Sequence, residues 1–303
     1  MFKKWFSLFM AMMMLMTALP FAHAEKEVQV QTDFRITVEE GDNAAVEGLD
    51  KNIVNILLLG TDDNGALNYG RTDTMIICSI HKKTGLVQLS SIARDLYVDI
   101  PNSTITDRIN TANSYGGPRL AIKAVNEVFG LNIEHYVTIN FSSFEKIVEI
   151  LEGVDIEISA AEAGEINRTS GSSNRASAGV YHMDGKQALA YVRIRNLDNT
   201  FGRNNRQRIF LQAVIDKVLA EKDIFQIIDL IKTCLKYVDY NLGFTDMISI
   251  AWTVLTKGVS LEMYSCPENG QYSYKTIDRI GSVVVGKMDA IREGLHNFIY
   301  SKK

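Results

Sequence analysis

Residues 53–80 read IVNILLLGTDDNGALNYGRTDTMIICSI, and the rest of the chain is best understood from this stretch. It consists of two short apolar runs rich in Ile and Leu, one on each side of a polar loop. Apolar runs of this length that are bounded by turn residues are typical of buried strands. The stretch therefore predicts two adjacent core strands joined by a polar loop at one end of a sheet.

The polar loop carries carboxylates and an arginine, namely Asp62, Asp63, Arg71 and Asp73. Carboxylates at the end of one core strand and the start of the next are able to converge on one point above the sheet. Mg2+ binds few carboxylate oxygens and completes its shell with phosphate and water, and arginine binds oxyanions through its planar guanidinium. On this chemistry alone, a metal and phosphate site and an ordinary solvated turn are both open.

The beginning of the chain has the pattern of a secretory signal peptide over residues 1–24. Lys3 and Lys4 precede an apolar run over residues 5–19, and Ala-His-Ala at the end is a small-x-small cleavage pattern. An uncleaved anchor is the alternative, although the apolar run is short for a membrane span. We therefore expect an exported protein whose mature chain begins at Glu25.

Composition and charge exclude some classes of function. The 303 residues are 46% hydrophobic and 22% charged, which suits a folded domain with a sizeable core. Removal of residues 1–24 takes the formal net charge from −4 to −6, because Lys3 and Lys4 are the only charged residues there. An acidic exported protein is a poor nucleic-acid binder, so a transcription regulator is not expected.

The cysteines do not form a recognisable metal site. There are three, widely spaced, and the sequence has no Cys-x-x-Cys and no His-Glu-x-x-His, so zinc is not expected. Cys78 lies in an apolar strand pattern and is expected to be buried. Pairing of Cys234 with Cys266 is allowed but not indicated.

Strands alternate with helices along residues 51–303, after a polar linker over residues 25–50 with an edge strand at residues 34–38. This alternation predicts one α/β domain in which helices cover both sides of a sheet. Helices are predicted over about residues 119–129, 142–151, 184–192, 203–220, 224–238, 245–256 and 287–300. Further strands are predicted over about residues 86–91, 97–100, 135–139, 153–158, 261–264 and 282–285. Ser142 and Glu145 form a predicted capping box, and residues 160–179 a mobile surface loop.

Five arginines lie at the ends of predicted elements: Arg71, Arg94, Arg193, Arg195 and Arg203. If the backbone is extended at Arg193-x-Arg195, both side chains point to one side. Such arginines repel each other unless an anion lies between them, and a pyrophosphate is such an anion. Each arginine alone is more simply a surface residue, but five of them with the aspartate loop favour an anion site.

Several motifs in one order carry a resemblance to a known family. They are NILLLGTDDNGALNYGRTDTM, SIARDLYVDIP, DRINTANSYGG, HYVTINF, GVDIEI, MDGKQALAYVRIR and GRNNRQ, spanning about residues 52–220, with residues 221–303 as a C-terminal part. The chain resembles the LytR-CpsA-Psr family of cell-envelope proteins of mainly Gram-positive bacteria. The resemblance implies an α-β-α fold with a mixed central sheet and a hydrophobic pocket for a prenyl chain. It also implies transfer of a glycopolymer, such as a teichoic acid or a capsule polymer, from a polyprenyl-pyrophosphate carrier to peptidoglycan.

The resemblance implies roles for individual residues at matching positions. Asp62 and Asp73 would hold Mg2+ against the pyrophosphate and act in catalysis with Arg71 and Arg94, and we expect Asp62 to serve as the general base as well. The implied pyrophosphate-binding residues are Arg71, Arg94, Arg193, Arg195, Arg203 and Gln207. The implied partners are the lipid-linked glycopolymer, peptidoglycan and the outer face of the cytoplasmic membrane.

Two functions stay open on the sequence. The first is the transfer itself, and the second is a non-catalytic binder that regulates or presents polyprenyl-linked intermediates. Thr200 keeps the second open, because the family has an aspartate there that would orient Arg203. The apolar residues between Ile209 and Leu235 exceed what one packed helix face needs, but such stripes are more often core than a lipid pocket. The particular glycopolymer and the oligomeric state are not set by these motifs.

Overall fold

The computed structural model describes residues 35–61, 69–194, 196–197, 200–220, 230, 232–257 and 260–301, apart from the side chains of residues 200–204, 219–220, 251 and 254–255. The strands are β1 (Ile53–Thr61), β2 (Thr72–His81), β3 (Leu86–Ile92), β4 (Tyr97–Asp99), β5 (Thr106–Arg108), β6 (His135–Ile139), β7 (Val154–Ile158), β8 (Gly179–Met183), β9 (Asp239–Tyr240), β10 (Ser260–Cys266), β11 (Tyr272–Ile277) and β12 (Gly281–Gly286). The helices are α1 (Thr111–Phe129), α2 (Phe141–Ile150), α3 (Ala160–Thr169), α4 (Gly185–Val192), α5 (Thr200–Ala220), α6 (Phe244–Lys257) and α7 (Met288–Tyr300).

Six strands form the central sheet in the order β10-β3-β2-β1-β6-β9. β2 is antiparallel to both β1 and β3, whereas β6 is parallel to β1 and β10 is parallel to β3. β9 is antiparallel to β6 and forms one edge of the sheet. The sheet is therefore mixed, as the resemblance implies, and the two apolar runs of residues 53–80 are its two central strands.

Both faces of the sheet are covered by helices. On one face, Leu57 and Ile77 are fully buried in a core that contains residues of α1 and α7. On the other face, Ile56 packs in a second cluster that contains Leu211 of α5 and Ile250 of α6. Successive side chains of a strand point to opposite faces. A continuous apolar run therefore has to be buried on both sides, which confirms the predicted α-β-α arrangement.

A third apolar cluster lies between the antiparallel pair of β7 and β8 and helices α2 to α5. Helix α4 begins there as predicted, with a capping box in which Asp184 Oδ1 accepts from Gln187 N at 2.9 Å. Gly185 follows the cap, and a Cβ at this position would lie 2.5 Å from Glu145 O of α2. Glycine is therefore needed for the close approach of α4 to α2.

Two predictions at helix N-termini are wrong. Helix α2 begins after Asn140, whose side chain accepts from Ser143 N at 2.9 Å, so Ser142 is not the N-cap. The predicted mobile loop over residues 160–179 contains helix α3, which begins with a capping box formed by Ser159 and Glu162. A side-chain cap satisfies N–H groups that the first turn leaves unpaired, and this pattern outweighs the loop-like composition.

Helix α1 begins at Thr111, which is earlier than the predicted start at residue 119. A kink at Gly116 and Gly117 divides it, and Gly117 has a φ of 74°, in the left-handed region that favours glycine. Strand β11 was not predicted, whereas the strands predicted over residues 261–264 and 282–285 and the last helix are confirmed. Of the helix predicted over residues 224–238, residues 230 and 232–235 are helical and residues 236–238 are not, whereas residues 224–229 and 231 lie outside the described residues.

The described part of the predicted linker, residues 35–50, has no strand or helix but packs against the domain. Ile36 is buried, and its N–H donates to Tyr115 O of α1 at 2.9 Å. Lys123 Nζ donates to Asp42 Oδ2 at 2.6 Å. The predicted edge strand does not form within residues 35–38, because Ile36 bonds to a helix rather than to a sheet edge.

Two further expectations concern cysteines and membranes. Cys78, Cys234 and Cys266 are free thiols, and burial raises the pKa of Cys78 to about 12. Among the residues that the structure describes, no helix combines the length and the apolar character needed to cross a membrane. The predicted signal peptide lies outside those residues.

Candidate active site

A network of ion pairs lies where β2 begins, next to the chain segment that follows β3. Asp73, the second residue of β2, accepts a hydrogen bond from Arg94 Nη1. Arg94 Nε lies 3.6 Å from Asp95 Oδ2, and Arg108 Nε lies 3.5 Å from Asp95 Oδ1. These side chains are 18–31% exposed, so the charges are held by the protein and still face the solvent.

Backbone hydrogen bonds from two distant segments hold Arg94 and Asp95 in place. Asn110 N donates to Arg94 O at 3.2 Å. From the other side, Val284 N of β12 donates to Asp95 O at 2.9 Å. The two charged side chains therefore project from a segment that is fixed on both sides.

Arg108 attaches the hairpin of β11 and β12 to the same network. Its Nε and Nη2 donate to Ser282 O at 3.2 Å and 3.0 Å, and its Nη2 also donates to Ile280 O at 2.6 Å. Gly281 lies between these carbonyls with a φ of 91°, and a Cβ there would lie 3.2 Å from Arg108 Nη2. Arg108 thus carries positive charge to the site and fixes one of its walls.

Two asparagines fix the backbone on either side of Arg71. Asn113 Nδ2 donates to Gly70 O at 2.8 Å, and Asn110 Nδ2 donates to Thr72 O at 3.2 Å. Both asparagines are almost fully buried. They limit the freedom of the segment that carries Arg71 into β2.

Tyr115 of α1 lies close to this segment. Its hydroxyl donates to Asp107 Oδ2 at 3.0 Å. Burial raises the pKa of Tyr115, and the Asp107 carboxylate raises it further, whereas the positive charge of Arg71 lowers it in part. The phenol is therefore neutral and acts as a donor.

These groups line an open polar cleft of about 410 Å³. Its lining residues are Arg71, Asp73, Arg94, Asp95, Arg108, Asn110 and Ser282. The arginines of this lining outnumber its carboxylates, which leaves an excess of positive charge. Guanidinium groups in such an arrangement are suited to bind phosphate oxygens.

A second cavity of about 280 Å³ lies between the sheet and helices α2, α4 and α5. Its apolar lining residues are Leu58, Leu59, Ile76, Val137, Ile139, Phe141, Phe144, Ile147, Leu189, Val192, Phe210, Leu211 and Val238. The ring centroids of Phe144 and Phe210 lie 4.7 Å apart and join α2 to α5 along one wall. Of the apolar stripe predicted on α5, Phe210 lines the cavity, whereas Ile209 is 39% exposed. The cavity suits a hydrocarbon chain.

The polar cleft and the apolar cavity meet at Asp73, which lines both. Arg193 and Gln207 also line the apolar cavity and give it polar groups. Gln207 Nε2 donates to Thr74 Oγ1 at 2.9 Å, next to Asp73 in β2. The Arg193 guanidinium lies 4.1 Å from the centre of the Phe141 ring. The two connected spaces are therefore suited to an amphiphile with an anionic head and an apolar tail.

The structure brings Arg71, Asp73 and Arg94 together in one cleft. It places Arg193 and Gln207 on the adjoining cavity. Three further predicted positions, Asp62, Asp63 and Arg195, lie outside the described residues, and so does the side chain of Arg203.

One geometric expectation at the arginine pair is wrong. Arg193 is the C-cap of α4, with φ −102° and ψ −3°, so the backbone there is helical rather than extended. Side chains two residues apart share a side only in an extended strand. The extended backbone from which we expected Arg193 and Arg195 to point to the same side is therefore not present at Arg193.

Four cleft residues were missed on the sequence: Asp95, Arg108, Asn110 and Ser282. The first three lie in motifs already quoted, SIARDLYVDIP and DRINTANSYGG, so the charged and amide residues of those motifs were a usable signal. Ser282 gave no local signal. It reaches the cleft through long-range contacts, since Arg108, 174 residues away in sequence, binds its carbonyl, and Val284 N of the same strand donates to Asp95 O.

The donor set at the junction fits a magnesium ion that arrives with a phosphate. Within the described ranges, no group of three or more His, Cys, Asp or Glu side chains is placed to hold a metal. Asp73 offers one carboxylate, with phosphate-binding arginines beside it. Mg2+ is commonly held by one or two carboxylates together with substrate phosphates and water, so an all-protein cage is not needed.

A mixed sheet between helices, with an arginine-lined cleft joined to an apolar cavity, defines a class of α/β proteins that is suited to bind an anionic lipid. The model of the LytR_cpsA_psr family matches residues 18–288. The chain therefore belongs to the LytR_cpsA_psr family, and the match extends beyond the motifs of residues 52–220.

Relatives of known name support the same assignment. The polyisoprenyl-teichoic acid–peptidoglycan teichoic acid transferase TagU of Enterococcus faecalis is 31% identical over 219 residues, which are 71% of this chain and 70% of that protein. A structure described as TagT bound to LI-WTA has a TM-score of 0.67 at 26% identity and covers 84% of this chain and 95% of its own. TagT with bound octaprenyl pyrophosphate lipid has a TM-score of 0.62 at 26% identity, with the same coverage.

Proposed function

We propose that this protein transfers a glycopolymer, a teichoic acid in the first place, from a polyprenyl-pyrophosphate carrier to peptidoglycan. The observation that carries the proposal is the position of Asp73, which lines both the arginine-rich cleft and the apolar cavity. A polyprenyl pyrophosphate has an apolar tail and a compact anionic head. Its diphosphate would lie at Asp73 when its tail occupies the apolar cavity. The names of the relatives and the lipid bound to TagT support the same chemistry.

The arginines would stabilise the charge on the transferring phosphoryl group. Arg71 and Arg94 line the polar cleft, and Arg193 lines the adjoining cavity, so diphosphate oxygens at the junction would lie among them. Fixed positive groups aimed at developing negative charge lower the barrier of phosphoryl transfer. We propose the same role for Arg195 and Arg203, and we propose that Gln207, whose side-chain amide is neutral, binds the diphosphate by hydrogen bonding. Asp73 and Asp62 would hold Mg2+, which would supply further neutralisation of the phosphate charge.

The proposed nucleophile is a hydroxyl group of a peptidoglycan sugar. Its oxygen bonds to the phosphorus that carries the glycopolymer, and the bond from that phosphorus to the bridging oxygen breaks. The bridging oxygen leaves with its electron pair as part of the polyprenyl phosphate. A carboxylate takes the hydroxyl proton, and we propose Asp62 for this role.

We further propose that the protein works outside the cytoplasmic membrane after cleavage before Glu25. N-terminal sequencing of the exported protein tests this point. The expected first residue is Glu25. Retention of residues 1–24 would instead indicate an anchored protein.

A transfer assay tests the proposed activity. It combines a short-chain polyprenyl-pyrophosphate donor, a peptidoglycan-fragment acceptor and either Mg2+ or EDTA. We expect product with Mg2+, loss of product with EDTA and recovery when Mg2+ is restored. Equal product with EDTA would contradict the role of the metal. Donor binding without product under any of these conditions would favour the non-catalytic binder.

A further inference from the structure

We infer that the end of the polar cleft lined by Asp95 and Ser282 is the subsite for the acceptor glycan, extended by the ring of Tyr274. This inference rests on the proposed function, because it assigns the second substrate of that reaction. The acceptor class is a polyhydroxylated sugar chain. The argument uses the direction of the reaction, the hydrogen-bonding groups at this end of the cleft, and the position of the β11–β12 hairpin.

The direction of phosphoryl transfer places the acceptor opposite the lipid. The attacking and leaving oxygens lie roughly in line through the phosphorus. The leaving polyprenyl phosphate lies toward the apolar cavity, which meets the cleft at Asp73. The attacking hydroxyl must therefore enter from the part of the cleft that is remote from that cavity. A series of contacts leads from Asp73 through Arg94 to Asp95. It continues through Arg108 to the carbonyl of Ser282. Asp95 and Ser282 therefore lie on the side of the cleft away from the apolar cavity.

This end of the cleft has acceptor groups for sugar hydroxyls. Asp95 supplies a carboxylate whose side chain is 31% exposed, and both of its oxygens are able to accept from hydroxyl groups. Ser282 is exposed at the entrance and supplies a hydroxyl group. A neutral polyol is suited to this combination of carboxylate and hydroxyl groups.

Tyr274 lies next to this entrance. It pairs with Val284 in the β11–β12 hairpin, so Ser282 is its diagonal cross-strand neighbour, at about 7–8 Å and within reach of an aromatic side chain. The ring of Tyr274 is 60% exposed and meets Tyr272 edge to face at 5.6 Å between centroids. An exposed ring held in one orientation offers a flat apolar surface against which a sugar ring packs.

The hairpin is a fixed wall rather than a loose one. Arg108 donates to the carbonyls of Ile280 and Ser282, and Val284 N donates to Asp95 O. Ser282 and Tyr274 are therefore held at a defined distance from Asp95. A preformed subsite of this kind reduces the entropy lost when a flexible glycan binds.

The test places a bulky side chain at the entrance and measures the two substrates separately. Ser282→Trp introduces an indole at the acceptor end of the cleft, and Tyr274→Ala removes the exposed ring. Ser273→Trp is the matched control, because Ser273 is an exposed serine of the same hairpin that does not line the cleft. The full mature protein is assayed for binding of octaprenyl pyrophosphate, for binding of a peptidoglycan disaccharide fragment, and for the acceptor KM in transfer.

We expect Ser282→Trp to leave lipid binding within about twofold of the unmodified protein and to weaken fragment binding at least about tenfold, with the acceptor KM raised to match. Tyr274→Ala is expected to weaken fragment binding about three- to tenfold, and Ser273→Trp to change neither. Unchanged fragment binding in Ser282→Trp overturns the inference, and so does the absence of fragment binding to the unmodified protein. Fragment binding that depends on Ser282 without any transfer by the unmodified protein would refute the proposed activity and leave the subsite standing.

Discussion

Replacement of Asp73 by asparagine removes one negative charge where the polar cleft meets the apolar cavity and keeps the size of the side chain. Asp73 accepts a hydrogen bond from Arg94 and is the carboxylate that lines both spaces among the described residues. We therefore expect Asp73→Asn to lose nearly all Mg2+-dependent transfer. The loss is expected to be about 10²–10³-fold, the usual effect of removing one fixed electrostatic group from an active site.

The expected effect of the same change on stability is small and follows from the ion pair. The Arg94 and Asp73 side chains are 18% and 26% exposed, and Arg94 keeps a second carboxylate, Asp95, at 3.6 Å. Asparagine still accepts a hydrogen bond, so the free energy of unfolding should fall by about 1 kcal/mol, below the range for a fully lost charge-assisted bond.

Asp42→Asn is the control for this experiment. It weakens another partly exposed ion pair, Asp42 with Lys123 at 2.6 Å, and Asp42 does not line the cleft. Both variants should lose about 2–4 °C in Tm for a domain of this size, but only Asp73→Asn should lose transfer. The rate is measured per folded molecule in the polyprenyl-pyrophosphate assay. Transfer by Asp73→Asn within a few-fold of the unmodified protein would refute the reasoning, and so would equal loss in both variants.

Three further changes test the lipid cavity, the arginine beside it and the unpredicted helix. Ile147→Trp fills part of the 280 Å³ apolar cavity and should weaken binding of octaprenyl pyrophosphate at least about tenfold. Ile209→Trp, on the exposed face of α5, is the control and should not weaken it. Equal binding by both variants would argue against the cavity as the lipid site. Arg193→Ala should weaken binding of the same lipid by about 1.5–3 kcal/mol, the value of a charge-assisted hydrogen bond. The free energy of unfolding should change little, because the contact of Arg193 with the Phe141 ring is at the surface. A variant that unfolds but keeps unchanged lipid binding per folded molecule would show that the arginine is structural. Ser159→Ala removes the N-cap of α3 and should lower the free energy of unfolding by about 1 kcal/mol without an effect on transfer. An unchanged free energy of unfolding in a urea titration would contradict the stabilising role of this cap.

Much of the fold was predictable because its signals are local. The apolar runs of residues 53–80 form the two central strands, and the Asp184 to Gln187 pattern begins α4 as expected. The same kind of signal was present at Ser159 and Glu162, where composition was given more weight than the capping pattern. Asn140, rather than the predicted Ser142, is the N-cap of α2. Both residue types cap helices well, and the surrounding packing selects between them.

The candidate site was predictable only in part. Arg71, Asp73 and Arg94 lie within short motifs around the first three strands, and their meeting follows from the antiparallel pairing of neighbours in sequence. Arg193 was found as one of the arginines at the ends of predicted elements, and Gln207 was found through the family resemblance. The family resemblance implied a hydrophobic pocket, but hydrophobic periodicity did not place it between α2, α4, α5 and the sheet, because the same side chains would give the same pattern in a filled core.

The amino-acid order was sufficient for the central strands, most helices and several charged groups of the site, because each depends on residues a few positions apart. Folding in three dimensions was needed for the wall of the cleft made by Ser282 and Arg108, whose contact joins residues 174 positions apart. It was also needed to place Asp73 where the polar cleft meets the apolar cavity. Contacts between distant segments depend on how whole elements pack, and this packing has no period that a short window of sequence could display.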